Sequence, residues 1–260
     1  SFKNEIIVHV NEGSDGTLEY IKNKKIKFTY SENNIGLCSA VNLASKKSTC
    51  EYILYAHDDM YFCENWDLFL AEEIKKINHN FFYISGMNIS HDAGGYIKYD
   101  CGANPKVFDE SKFSKFCKNF KYFDIQGSQW APHVIHKDLW HEIGGFSEEF
   151  DPGDGSDPDL CYKLWKKNVR IFKALSKFKV YHFGSVTLRK KVSVKKNNKG
   201  STKFILKWGL SPKSFRNHYL KGRNKIEYNG PLKDPSLTIT YIIDLLIDKI
   251  KYMYLKLNKK

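Results

Sequence analysis

Apolar residues dominate two stretches in the first part of the chain, EIIVHV (Glu5–Val10) and EYILYA (Glu51–Ala56), in nearly continuous runs. Continuous runs of this length predict strands buried on both faces. Between them the pattern predicts a helix from Thr17, a short strand IKFTY, and a second helix from about Gly36 to Lys47. Beyond His57-Asp58-Asp59, the residues Trp66, Phe69, Leu70, Ile74 and Ile77 recur on one helical face. FFYISGMNI then reads as another strand. Strands alternating with helices predict a mostly parallel, three-layer α/β sheet.

The middle is less regular. Residues 91–128 carry a CGANP turn and a helical pattern through Phe113, Phe116 and Phe120. WAPHVIHK predicts a strand, followed by a short helix and a GGF turn. A helix beginning at Pro158 is expected to bury Leu160, Cys161, Leu164 and Trp165, with two short strands, VRIFKAL and KFKVYHF, after it. From about Gly184 the composition turns basic and Asn/Lys-rich, which divides the chain into an α/β domain (1–185) and an extension (186–260). Residues 236–257 predict an amphipathic helix with Ile239, Ile242, Ile243, Leu246, Ile250 and Leu257 on one side. Asp244, Asp248 and Lys249 argue against a membrane span. Its apolar side is expected to dock on its own domain, on a second subunit as a homodimer, or peripherally on a membrane.

Composition changes the picture in two ways. The 260 residues, 42% hydrophobic, can bury a substantial core. A formal charge of +13 favours an anionic partner such as a nucleotide. Much of the excess lies in the tail (Arg189-Lys190-Lys191, Lys195-Lys196, Lys259-Lys260), so no nucleic-acid partner is expected. The six cysteines are scattered without a CxxC pair and read as reduced residues. No signal peptide precedes the first strand, and no apolar run reaches the roughly 20 residues of a span. A reducing, cytoplasmic location follows as the expectation, at the inner face of the membrane if the last helix binds there. Walker, GxGxxG, GxSxG and HExxH patterns are absent.

Two acidic stretches carry the candidate chemistry. YAHDDMYF places His57, Asp58 and Asp59 after a buried strand, at the sheet edge where α/β proteins bind ligands. His57 and Asp59 could both face one hard cation on phosphate oxygens; alternatively, an aspartate here simply opens the next loop. DPGDGSDPDLCYKLW (Asp151–Trp165) crowds four aspartates into nine residues around a helix start. The spacing does not fit a calcium loop. Asp157 before Pro158 suits a helix cap, and Asp159 suits the positive helix end. A catalytic base at the same junction is compatible with capping. His182 ends a strand as either a structural residue or a ligand. His133, His136 and His141 read as structural.

The order of these pieces resembles inverting nucleotide-sugar glycosyltransferases of family 2, with the GT-A fold. EIIVHVNEGSDGT is similar to the family's second strand and its acidic turn. NIGLCSAVNLA is similar to the N-x-G-x-x-x-A-x-N helix start, and YAHDDMYF occupies the place of the DxD metal motif. WHEIGGFSEEFDPGDGSDPDLCYKLWKKNVRI resembles the segment ending in the ED-x-D-L helix, and VYHFGS matches a histidine that completes the metal site in some relatives. The likeness spans roughly residues 4–185. It implies a GT-A-like fold, a nucleotide-diphosphate sugar donor and a glycan or lipid-linked acceptor. Asp157 would be the catalytic base, and Asp59, His57 and His182 the ligands of Mn²⁺ or Mg²⁺. Glu12, Gly13, Asn34, Asp58 and Arg189 would face the donor, and Asp154 and Trp130 the acceptor. The implied reaction is a single sugar addition, in surface polysaccharide or glycan synthesis. Three departures stand out. Ser156 replaces the acid of ED, His57 replaces the first aspartate of DxD, and the family's usual first strand–helix unit is not found before Glu5. They motivate an alternative expectation, a non-catalytic nucleotide-sugar-binding or scaffold protein.

Overall fold

The computed structural model describes residues 3–92, 96–184, 199–222 and 225–258. The basic run with Arg189 therefore lies outside the described residues. In chain order the elements are β1 (Ile7–Asn11), α1 (Thr17–Asn23), β2 (Lys27–Ser31), α2 (Leu37–Ser45), β3 (Tyr52–Tyr55), β4 (Met60–Phe62) and α3 (Trp66–Ile77). Then come β5 (Phe82–Ser90), β6 (Ile97–Lys98), α4 (Glu110–Asn119), β7 (Ile125–Gln126), β8 (His133–His136), α5 (Lys137–Glu142), α6 (Ser156–Lys166) and β9 (Ile171–His182). After the basic run follow α7 (Lys199–Trp208), a single turn α8 (Pro212–Ser214) and α9 (Ile239–Leu257).

Alternation along the strands builds the layers. Ile53, Tyr55, Tyr83, Ile135 and Phe172 join one core with Leu160, Cys161, Leu164 and Trp165 of α6. Their strand neighbours Leu54, Phe82, Ile84, Val134 and Ile171 face the other way, onto Leu70 and Ile74 of α3. Successive side chains of a strand point to opposite faces, so one sheet buries apolar residues under helices on both sides. This is a three-layer α/β arrangement.

The sheet is mixed rather than mostly parallel in its pairings. Its order is β3-β8-β5-β9-β4. Strands β5 and β9 pair in parallel, but β8 runs antiparallel to both β3 and β5, and β4 runs antiparallel to β9. β1 and β2 form a separate parallel pair. Only Val10 of β1 is buried, so this strand is not covered on both faces as its apolar run suggested. The two strands expected after α6 are one, β9. Three residues, Ser176–Phe178, lie between its pairings with Gly86 and Met87 of β5, which accounts for the break seen in the sequence.

The α6 helix begins at Ser156, after Gly155 in a left-handed conformation, so Asp157 lies in the first turn and is not the cap. Asp159 is fully buried and ties the end of the chain to the core. It accepts hydrogen bonds from Ser147 Oγ (2.6 Å) and Trp208 Nε1 (2.8 Å), and pairs with Lys207 (2.9 Å). Phe204, Leu210, Phe215, Leu220 and Leu232 enter the same core as α6.

The crowded loop before α6 is anchored by a contact far away in sequence. Asp151 accepts from Cys38 N (2.7 Å), Ser39 N (3.3 Å) and Ser39 Oγ (2.7 Å), capping α2 where the helix dipole favours a carboxylate. Gly36, at φ 86°, permits this approach, because a Cβ there would meet the Asp151 carboxyl carbon at 2.4 Å. Asn42 then clasps the GGF turn, donating to Phe146 O and accepting from Phe146 N. Gly36→Ala is expected to destabilise the fold by roughly 2–4 kcal/mol, through backbone strain plus loss of the Asp151 cap. Urea unfolding reads this directly, and an unchanged midpoint would show that α2 does not depend on that approach.

Candidate active site

Register positions the first cluster. β4 runs antiparallel to β9 with Met60 opposite His182, and Phe183 N donates to Asp59 O (3.0 Å). The loop after β3 is thereby held against the end of β9. His182 Nε2 comes within 3.1 Å of Asp59 Oδ1, and His57 Nδ1 within 3.9 Å. One ligand-capable atom from each of the three lies within 4.8 Å of the others. Asp59 Oδ1 and His182 Nε2 are buried and neither has a well-aligned hydrogen bond. Two buried polar atoms this close, without an aligned hydrogen bond, are costly unless a proton or a cation is shared between them.

Electrostatics point the same way. Burial, and then the neighbouring His182, push the His57 imidazole below its usual range, so it stands neutral and able to ligate. Burial opposes ionisation of Asp59, but His182 and His57 outweigh it and hold the carboxyl below its ordinary value. Asp58 is exposed beside this cluster and outside it.

Asp157 makes the second centre. Part of the residue is open to solvent, yet its Oδ1 is buried and has no hydrogen-bond partner. Burial alone pushes this carboxyl up to about 7. Four weak acids, Cys38, Tyr55, Tyr83 and Cys161, lie close enough that a charged Asp157 adds to the effect of burial against their ionisation. Ser156, in the place of an acid, is buried and donates its hydroxyl to Gly153 O (2.7 Å). It closes the loop and adds no charge next to Asp157.

An aromatic layer that sequence reading did not anticipate lies between the two centres. The Tyr55 ring contacts both His57 (5.4 Å) and His133 (5.3 Å), and His133 packs on Tyr83 (4.7 Å). Burial drives His133 down to about 3, so it stays neutral. His136 caps α5 through Asp138 N, and the three central histidines form no ligand group among the described residues. Only the strand alternation of YILY and FFYIS could have hinted at this layer, since Tyr55 and Tyr83 fall on the same sheet face.

The remaining candidates are spread around the site. Glu12 and Gly13 follow the end of β1 with φ 65° and 67°; the Glu12 side chain is exposed and makes no hydrogen bond or ion pair among the described residues. Asn34 Oδ1 accepts from Gly36 N (2.9 Å), shaping the turn into α2. Trp130 is half-buried with φ 61°, and its carbonyl accepts from Tyr83 OH (3.2 Å). Asp154 does not join Asp157: its carboxylate accepts from Gly200 N (2.9 Å) in the first turn of α7.

A family model described as glycosyl transferase family 2 matches residues 2–144, more than half of the chain. The chain belongs to glycosyl transferase family 2. The match takes in His57 and Asp59 and ends before Asp157 and His182. Two crystal structures share its fold. GalNAc-T7, determined with UDP, GalNAc and Mn²⁺, is 13% identical at a TM-score of 0.53, covering 97% of this chain and 49% of that one. S. aureus TarS 1–349 is 16% identical at a TM-score of 0.50, covering 68% and 50%. The chain thus spans about half the length of either. No curated protein matches it.

Proposed function

We propose that this family 2 chain transfers one sugar from a nucleotide-diphosphate donor to an acceptor hydroxyl, with inversion at the anomeric carbon. The observation that carries the reading is Asp157, a partly exposed carboxyl with one buried, unpartnered oxygen, pushed up to about 7 by burial. A general base works best with its pKa near the operating pH. Asp157 accepts the acceptor proton as the acceptor oxygen bonds to the anomeric carbon. On the opposite face the bond to the diphosphate breaks, and the nucleoside diphosphate leaves with the electron pair. Because one displacement has occurred, the configuration inverts.

Asp59, His57 and His182 fit a divalent cation, since Asp59 Oδ1 and His182 Nε2 are buried and unsatisfied. One carboxylate with two imidazoles favours Mn²⁺ over Mg²⁺, which prefers oxygen donors. Mn²⁺ also accompanies UDP in the GalNAc-T7 crystal structure. When bound, such a cation supplies charge neutralisation for a diphosphate leaving group. Glu12, Gly13 and Asn34, at the carboxyl edge of β1 and β2, are the residues assigned to the donor. Trp130 is assigned to the acceptor, a glycan or lipid-linked hydroxyl.

The test is turnover of a panel of UDP-, GDP-, dTDP- and CMP-sugars with Mn²⁺, with the product anomer followed by proton NMR. An inverted product from one donor is expected. A retained configuration, or no thermal stabilisation by any nucleotide with Mn²⁺, would sink the reading.

A further inference from the structure

The last helix is docked inside out. Its two acids face the body: Asp248 is buried and accepts from Ser211 N (2.8 Å), and Asp244 pairs with His218 (2.7 Å). Tyr241, also buried, bonds Tyr219 through the two hydroxyls (2.9 Å). The opposite side carries Ile239, Ile243, Leu246, Ile250, Met253 and Leu257, exposed by 47–85%. At about 100° per residue these six form one stripe, about 28 Å long at ~1.5 Å per residue. The polar face is thus used for docking and the apolar face is left outside, the reverse of an ordinary surface helix.

We infer that this stripe lies in the plane of an anionic lipid surface. Charge decides the occupant. Lys249 and Lys256 edge the stripe on one flank and Lys251 on the other, all exposed, while both acids of the helix are consumed by internal contacts. Lysines flanking an apolar face can reach the headgroups while the apolar side chains enter the acyl boundary. A second copy of the same stripe would instead bring lysine flanks together without an acidic counterpart from the helix. Beside the stripe, a cleft of about 370 Å³ between α7 and α9 has a mostly apolar lining that includes Ile205, Pro212 and Leu255, with the ammonium groups of Lys213 and Lys251 beside it, an arrangement that suits the boundary between acyl chains and anionic headgroups. No described helix is long and apolar enough to cross a membrane, so the contact is in-plane. This inference does not rest on the proposed reaction.

Flotation of the full chain with vesicles tests it. At 0.1 M salt the chain should float with phosphatidylcholine/phosphatidylglycerol vesicles and hardly at all with phosphatidylcholine alone. Ile243→Asp with Leu246→Asp should abolish flotation. Lys249→Gln, Lys251→Gln and Lys256→Gln together should weaken it by roughly a hundredfold. All five side chains are exposed, so thermal unfolding should be unchanged, and a shifted transition would move the test to the single variants. Failure to float, equal flotation on both vesicle types, or floating by the Ile243→Asp/Leu246→Asp variant would overturn the inference. So would a soluble dimer that these two substitutions dissociate and that ignores vesicles, which would make a second copy the occupant.

Discussion

Asp157→Asn is expected to cut sugar transfer by roughly 10²–10⁴-fold while making the folded chain more stable at pH 8. The two effects share one cause. Burial keeps the proton on Asp157 up to about pH 7, whereas an unfolded carboxyl releases it near the ordinary aspartate value of 3.8. Between those values the unfolded chain has given up a proton that the folded chain retains. The folded state therefore loses relative stability as pH rises from about 4 to 7, and the full penalty stands above 7. Roughly three pH units at about 1.4 kcal/mol each give about 4 kcal/mol. Asparagine carries no titrating proton and escapes that penalty. Its advantage in urea unfolding should be near zero at pH 4, modest at pH 5 and largest at pH 8. In the unmodified chain, kcat/KM should rise with pH through about 7 as the base ionises. A variant whose stability follows the parent's at every pH, or whose transfer is undiminished, would remove Asp157 from the mechanism.

Asp59→Ala should weaken Mn²⁺ binding by at least about a hundredfold, and His182→Ala by roughly ten- to a hundredfold. The carboxylate is the only anionic member of the trio, and its Oδ1 faces both imidazoles, so its loss leaves two neutral rings without a charge to hold a cation. Excess Mn²⁺ should restore much of the His182→Ala transfer and little of the Asp59→Ala transfer. Calorimetric or EPR titration of Mn²⁺ reads the affinity independently of turnover. Titrations identical to the parent's would show that the trio binds no metal, and would leave the closeness of Asp59 and His182 as an internal ion pair.

Much of the architecture was legible because short-range signals carry it. The apolar runs EYILYA and FFYISGMNI and the helical spacing from Trp66 to Ile77 each report local periodicity or polarity. Asp59, Asp157 and His182 were singled out because chemistry collects at strand and helix ends, and ends are readable from turns. Asp154 was read with them on the same ground, but its partner is Gly200. A carboxylate's sequence neighbours do not reveal which distant amide it will meet. For the same reason Asp151, one of the four crowded aspartates, proved to be the cap of a helix begun more than a hundred residues earlier.

By itself the sequence determined the succession of strands and helices, the two acidic turns and the presence of an apolar stripe on the last helix. These depend on dihedral preference and side-chain period, which neighbouring residues set. Tertiary structure alone decided three further things. It put β8 and β4 antiparallel into the sheet, and the β4–β9 register brought His182 to Asp59. It stripped Asp157 of partners and so lifted its carboxyl to about 7. It turned the apolar stripe of α9 outward by spending both helix acids on internal contacts. Pairing, desolvation and orientation are properties of surfaces that meet in space, and a one-dimensional pattern records which residues form a surface but not what lies against it.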